Sequence, residues 1–284
     1  MHRDTVSLEF KPVFLIDGIE TDVIDAGDRG LQYGDGLFET VAVEQGRPQR
    51  WPRHMARLQA GCERLGIVPP DESILRDEVH TLCAEREEPA VLKVIITRGC
   101  GGRGYRAPAN STPRRILSLH PWPDYPPAWY REGVRVRVCR TRLGLHPALA
   151  GLKHLNRLEQ VLARSEWDRP DIAEGLMLDA GGRVVEGTMT NLFVVMDGRL
   201  VTPALTNCGI AGIMRREVME VAEAMGLSCS EEELGLDDVE EADELFLTNC
   251  LIGVWPVREL DGRSFRVGPT CRAIAARVGQ AREA

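Results

Sequence analysis

A chain of 284 residues, 43% of them hydrophobic, can bury one large core or two moderate ones and needs neither disulfides nor a metal to fold. Its net charge of -8 argues against nucleic acid or an anionic membrane as the main partner, since both repel an acidic protein. The opening MHRDTVSLEF lacks an apolar h-region, and no apolar run approaches the roughly 20 residues that cross a bilayer, so a cytoplasmic protein is expected.

In chain order, VFLIDG (13–18) and LFETVAVEQGR (37–47) predict strands, rich in β-branched and aromatic residues and ending at glycine turns. The segment 53–66 changes period. Met55, Leu58, Cys62 and Leu65 recur three or four apart between arginines, which predicts an amphipathic helix. A second helix is expected around 72–86, then a buried strand at VLKVIIT (91–97) with RILSL (115–119) pairing near it. These make an α+β N-terminal unit.

HPWPDYPPAW holds four prolines in ten positions and predicts an extended linker over 120–128. Beyond it VRVRVCR alternates strictly, LFVVMDGRLVTP predicts a hairpin turned at Asp197-Gly198, and KHLNRLEQVLARSEW, GIMRREVMEVAEAMG and CRAIAARVGQA supply helices. Nine acidic residues between Glu231 and Glu244 read as a solvated face, and the eight cysteines, none in a CxxC pair, as reduced thiols.

Four segments carry chemistry. Lys153 stands where a glycine turn is expected to become a helix whose buried side is marked by Leu152, Leu155, Leu158 and Leu162. A lysine aimed inward there becomes a competent amine nucleophile, whereas one aimed outward is an ordinary surface cation. Glu186 follows an apolar strand and precedes the small polar run GTMTN; it is either a turn acid or a carboxylate able to keep a pyridine nitrogen protonated. Gly209 and Gly212 precede a helix, whose N–H groups and positive dipole end suit a phosphate, and Arg57 could add a charged fork to it. The loop TRGCGGRGYRAP carries Arg98, Arg103, Tyr105 and Arg106 and runs into Pro108 instead of a helix, so it is not a nucleotide fingerprint. It fits a lid that grips a substrate carboxylate, or an exposed hairpin tip. There is no zinc spacing, no GxSxG elbow and no Walker pattern.

The order of these signals resembles that of the fold-type IV pyridoxal-phosphate enzymes, the aminotransferase class IV group. It runs from DRGLQYGDGLFET through Lys153, VVEGTMTNLF and GIMRREV to DELFLTNCL. VLKVIITRGCGGRGY and LAGLKHLNRLEQVLARS resemble the lyases of that group more than its aminotransferases. The resemblance implies a D-amino acid aminotransferase-like fold of two α/β domains, 1–119 and 129–284, with the cofactor between them and a homodimer as the working form. It implies pyridoxal 5'-phosphate held by Lys153 as a Schiff base, with Glu186 at the pyridine nitrogen. Arg57, Thr190, the backbone of Ile213 and Met214, and the Asn249 region are the further cofactor contacts. Thr40 falls where the lyases carry a threonine that assists proton transfer, and Arg98, Arg103 and Tyr105 are the candidates for binding a dicarboxylate substrate. Glu39, beside Thr40, stands where the aminotransferases for D- or branched-chain amino acids also carry glutamate, and such an aminotransferase is the alternative activity.

Overall fold

The structure is a computed structural model that describes residues 13–279; the opening segment MHRDTVSLEF and the residues after Gly279 lie outside them. The chain divides into two compact units, one up to Pro123 and one from Asp124.

The first unit comprises β1 (Val13–Ile16), β2 (Ile19–Glu20), α1 (Arg29–Tyr33), β3 (Gly36–Glu44), β4 (Arg47–Pro48), α2 (Trp51–Leu65), α3 (Glu72–Cys83), β5 (Ala90–Thr97) and β6 (Arg114–Pro121). Its strands form an antiparallel sheet in the order β2-β1-β6-β5-β3-β4. The two-residue period of β3 divides its side chains between the faces: Leu37, Glu39, Val41 and Val43 are buried, Phe38 and Thr40 half-buried. Helix α2 covers the first of these faces so closely that a Cβ on Gly61 would lie 2.8 Å from the Leu37 side chain. Met55, Leu58 and Cys62 of α2 and Leu75, Val79 and Leu82 of α3 are buried, as the helical spacing predicts. At about 25 cal/mol per Å², each fully buried leucine or valine of this set contributes roughly 1.5–3 kcal/mol against exposure.

The second unit follows as α4 (Ala128–Glu132), β7 (Val134–Leu143), α5 (Leu158–Arg164), β8 (Ile172–Asp179), β9 (Val184–Gly187), β10 (Asn191–Met196), β11 (Arg199–Pro203), α6 (Ile213–Ala224), β12 (Cys229–Glu232), α7 (Leu236–Glu240), β13 (Glu244–Asn249), β14 (Gly253–Leu260), β15 (Arg263–Ser264) and α8 (Pro269–Arg277). The sheet runs β12-β11-β10-β13-β14-β7-β8-β9, with β15 on β14. Apolar side chains fill both of its faces: Leu192, Val194, Leu245, Leu247, Trp255 and Val257 pack in one cluster, Phe193, Val195, Phe246 and Val254 with α6 and α8 in another. The expected hairpin joins β10 and β11 at Met196↔Arg199. Asp197 at φ 50° and Gly198 at φ 74° both take the left-handed region that a two-residue turn requires.

The boundary between the units falls inside the expected linker 120–128, whose ends belong to the units themselves: His120 and Pro121 complete β6, and the Tyr125 ring lies edge-on to that of fully buried Trp255 with its centroid 4.7 Å away. One expectation is corrected here. The helix after Lys153 is short. Backbone bonds tie the preceding residues elsewhere, the helix opens only at Leu158, and its buried side is Gln160 and Ala163, whereas Leu158 and Leu162 are 69% and 54% exposed. Among the described residues no helix is long and apolar enough to cross a membrane, and all eight cysteines are unbridged.

Candidate active site

Three segments that the sequence leaves far apart meet in the second unit. The loop carrying Lys153 is laced to the loop before α6: the Gly151 N–H donates to the Gly209 carbonyl (2.8 Å), the Ala211 N–H to the Gly151 carbonyl (3.1 Å), and the His146 N–H to the Asn207 carbonyl (2.7 Å). Ile210, between those anchors, gives its N–H to Glu186 Oε2 at 2.8 Å and receives the Asn191 side-chain amide on its carbonyl at 2.9 Å. Lys153, Glu186 and the start of α6 are thereby fixed to one short stretch of backbone.

Glu186 is 3% exposed on β9, and burial drives its carboxyl up to about 7. The Ile210 N–H and the charges of Arg157 and Lys153 pull the other way. A carboxyl poised there exchanges its proton near neutral pH, and in its ionised form it can keep a ring nitrogen protonated. Helix α6 begins at Ile213 with Gly212 at its N-cap and no side chain capping it. A Cβ at Gly212 would sit 2.0 Å from Asn191 Oδ1, so no side chain can stand over the first turn, and the N–H groups of Ile213 and Met214 begin a helix end suited to an anion.

Glu174 on β8, absent from the expectations, organises the GTMTN run. Its fully buried carboxylate accepts from the N–H groups of Gly175, Thr188 and Met189 and from the hydroxyls of Thr188 and Thr190, and burial raises its pKa against those bonds. The Thr190 hydroxyl proton, expected at the cofactor, is therefore committed to Glu174 at 3.1 Å. Asn249 likewise spends its side chain locally, Nδ2 donating to the Met189 carbonyl and Oδ1 accepting from the N–H groups of Leu251 and Ile252. It shapes the turn after β13, which leaves backbone as that region's contribution.

In the first unit Arg57 is held by Glu39. Nε and Nη2 of the guanidinium reach the two carboxylate oxygens at 2.8 and 2.5 Å, and His54 Nδ1 lies 2.7 Å from Oε2. Burial acts to raise the Glu39 carboxyl, but the Arg57 charge and the hydrogen bonds from Arg57 and His54 outweigh it and hold the pKa at about 2. Sequence reasoning noticed Glu39 only as a departure from the lyases; the usable signal was an acid interrupting the apolar run LFETVAV. Thr40 points to the opposite face of β3, level with Lys93 of β5.

The arginine loop corrects another expectation. Arg98 is 7% exposed, with Nε and Nη2 on Asp35 (2.7 and 3.0 Å), Nη1 on the Gly66 carbonyl and Nη2 also on the Leu65 carbonyl. Every guanidinium nitrogen braces the fold, so Arg98 is not placed to grip a substrate. Arg29, which the sequence did not single out, fixes the loop tip by donating to the carbonyls of Gly104 and Tyr105 (2.9 and 3.0 Å). Arg103, Tyr105 and Arg106 are exposed. Among the described residues no cluster of His, Cys, Asp and Glu is placed to hold a metal ion.

Comparison with known proteins gives the family and the fold. The model of the amino-transferase class IV family matches residues 36–260, and the chain belongs to that family. Among curated relatives, an aminodeoxychorismate lyase of Vibrio harveyi is 40% identical over 86% of this chain and 90% of its own length. A putative branched-chain-amino-acid aminotransferase of Methanocaldococcus jannaschii is 34% identical over 83% and 82%. Among solved structures, 4-amino-4-deoxychorismate lyase from Pseudomonas aeruginosa superposes with a TM-score of 0.91 at 48% identity, covering 96% of this chain and all of that one. A branched-chain aminotransferase from Escherichia coli reaches a TM-score of 0.80 at 26% identity, over 92% and 91%. The fold-type IV architecture implied by the sequence resemblance is thus borne out.

Proposed function

We propose that this chain is a pyridoxal-phosphate-dependent lyase that converts 4-amino-4-deoxychorismate to 4-aminobenzoate and pyruvate. One observation carries the reading: in a chain 48% identical along 96% of its length to a lyase of that name, Lys153, buried Glu186 and the uncapped start of α6 are held together by the Gly151–Ile210 backbone contacts. The donor set fits the cofactor: an amine to carry it, a carboxyl near neutrality for its ring nitrogen, and helix N–H groups for its phosphate.

When bound, pyridoxal 5'-phosphate supplies an electron sink for the pair left on the substrate carbon that bears nitrogen. Lys153 Nζ takes the proton from that carbon. Glu186 would keep the pyridine nitrogen protonated, the N–H groups of Ile213 and Met214 would hold the phosphate, and Arg57 is a further proposed cation for it. As the bond to the enolpyruvyl oxygen breaks, the ring becomes aromatic and the departing enolpyruvate takes up a proton to become pyruvate. The Thr40 hydroxyl is the proposed relay for a proton to that leaving group, and Arg103 and Tyr105 are the proposed contacts for the two substrate carboxylates. We further propose that the enzyme serves folate biosynthesis in the cytoplasm as a homodimer.

The aminotransferase alternative draws support from the 34% identical relative and from Glu39, and it would use the same Lys153. Supplying the purified, cofactor-loaded chain with 4-amino-4-deoxychorismate separates the two. Release of 4-aminobenzoate and pyruvate in equal amounts is expected. Amino transfer between D- or branched-chain amino acids and keto acids, with no 4-aminobenzoate formed, would overturn the lyase reading.

A further inference from the structure

Arg157, four residues after Lys153, is a half-buried cation with no carboxylate in direct contact among the described residues. Its Nε–H is shielded from solvent and has no acceptor, and Nη2 meets only the ring nitrogens of His154, Nε2 at 2.6 Å and Nδ1 at 3.1 Å. Among the described residues Arg157 makes no ion pair, although the charges of Glu186 and Glu159 act on it from beyond contact distance, as that of Glu186 does on Lys153. Arginine cannot shed its proton to escape a poorly solvated position, so its Nε–H stays without an acceptor until an anion arrives. His154 is no substitute: burial first, then the Arg157 charge, push its pKa down to about 4, and the neutral ring only accepts from Nη2. The charges of Glu186 and Glu159 offset part of the desolvation of Arg157, but neither supplies an acceptor for Nε–H, and hydrophobic residues of similar volume would fill the space at lower desolvation cost.

We propose that Arg157 is the oxyanion-binding cation of the Lys153–Glu186 site, receiving on its Nε edge a single anionic oxygen of the bound molecules. This rests on the pyridoxal-phosphate reading. Two sources present that chemistry: the phenolic oxygen of the cofactor ring and a carboxylate of the dicarboxylate substrate.

The test uses the full chain with Arg157→Met and Arg157→Lys, measuring apo-protein stability by thermal melting and ligand affinity by spectroscopic titration. The probes are pyridoxal 5'-phosphate, its 3-deoxy analogue without the phenolic oxygen, and chorismate as a dicarboxylate on the cofactor-loaded protein. Arg157→Met is expected to melt at or above the wild-type temperature yet to bind the anionic probe about ten- to a hundredfold more weakly, the scale of a lost charged hydrogen bond. Arg157→Lys, which keeps the charge but not the fork, falls between. Weakening for pyridoxal 5'-phosphate but not for its 3-deoxy analogue assigns the phenolic oxygen. Weakening for chorismate with cofactor affinity intact assigns the substrate carboxylate. Unchanged affinity for all three probes, or a lowered melting temperature with unchanged affinity, overturns the proposal and leaves Arg157 as a brace for His154. Failure of the pyridoxal-phosphate reading is separately visible, because the wild-type chain would then bind neither cofactor probe.

Discussion

Replacing Glu39 by glutamine keeps the shape of a side chain that is 1% exposed and removes the charge that Arg57 and His54 converge on. The carboxyl's ordinary pKa of 4.5 falls to about 2 in the folded chain. At 1.36 kcal/mol per unit, that difference makes the charge worth about 3 kcal/mol to folding, in line with the roughly 3–5 kcal/mol expected when a buried pair loses one partner. The folded pKa lies below the unfolded one, so on acidification the unfolded chain takes up the proton first. The contribution is complete above about pH 4.5 and disappears as the pH falls through about 2. Urea unfolding of the cofactor-free protein, followed by circular dichroism, should show Glu39→Gln less stable by about 3 kcal/mol at pH 7, with the gap narrowing as the pH is lowered from 4.5. A gap of the same size throughout would mean that the glutamine packs badly, and one below about 1 kcal/mol at pH 7 would mean that the ion cluster is energetically idle; either result refutes the electrostatic account.

Lys153→Ala is expected to fold yet to lose both turnover and the visible absorbance of the loaded protein, with borohydride reduction and peptide mapping locating the label on Lys153 in the parent; label on Lys93 would remove Lys153 from its role. Glu186→Gln separates function from stability. Because burial raises this carboxyl to about 7, the acid costs the apo-protein stability as the pH rises from its ordinary 4.5 through that value, so the glutamine variant should melt higher than the parent at pH 8. Its turnover should fall by about two orders of magnitude, and full turnover would make Glu186 a structural acid. Arg98→Met should lower the melting temperature and leave the KM of the folded enzyme unchanged, whereas Arg103→Met should do the reverse, raising KM for 4-amino-4-deoxychorismate about tenfold or more. An increased KM in Arg98→Met alone would restore Arg98 to the substrate.

What was legible in the sequence is what local physics dictates. The β-branched and aromatic run of β3, the Asp197-Gly198 turn and the three-and-four spacing of α2 each follow from a short window of residues, and the structure has them where expected. Lys153, Glu186 and the Gly209–Gly212 turn were each visible but weak alone, because their convergence depends on backbone pairing between Gly151 and Ile210 that no periodicity encodes. The same limit produced the errors. Arg98 looked available until Asp35, far earlier in the chain, took it. The leucines after Lys153 looked like a buried stripe because their spacing cannot show that the backbone before Leu158 is bound to the loop ahead of α6. Glu174 escaped notice because its signal, a charge in a strand bound for burial, points to no particular partner, and Arg157 because it stands between exposed neighbours.

The facing of β3 also governs how such a protein can change over generations. Consecutive residues serve opposite sides of one strand, Glu39 toward α2 and Thr40 away from it. Exchanging either amino acid alters one side and leaves the other intact, so the helix-side anchor and the opposite surface can drift separately. An inserted or deleted codon between Gly36 and Glu39 has no such freedom: it would turn the carboxylate out and the hydroxyl in, abandoning Arg57 and His54 at one stroke. Lineages built on this strand are therefore expected to vary at positions 39 and 40 by replacement while holding its length constant.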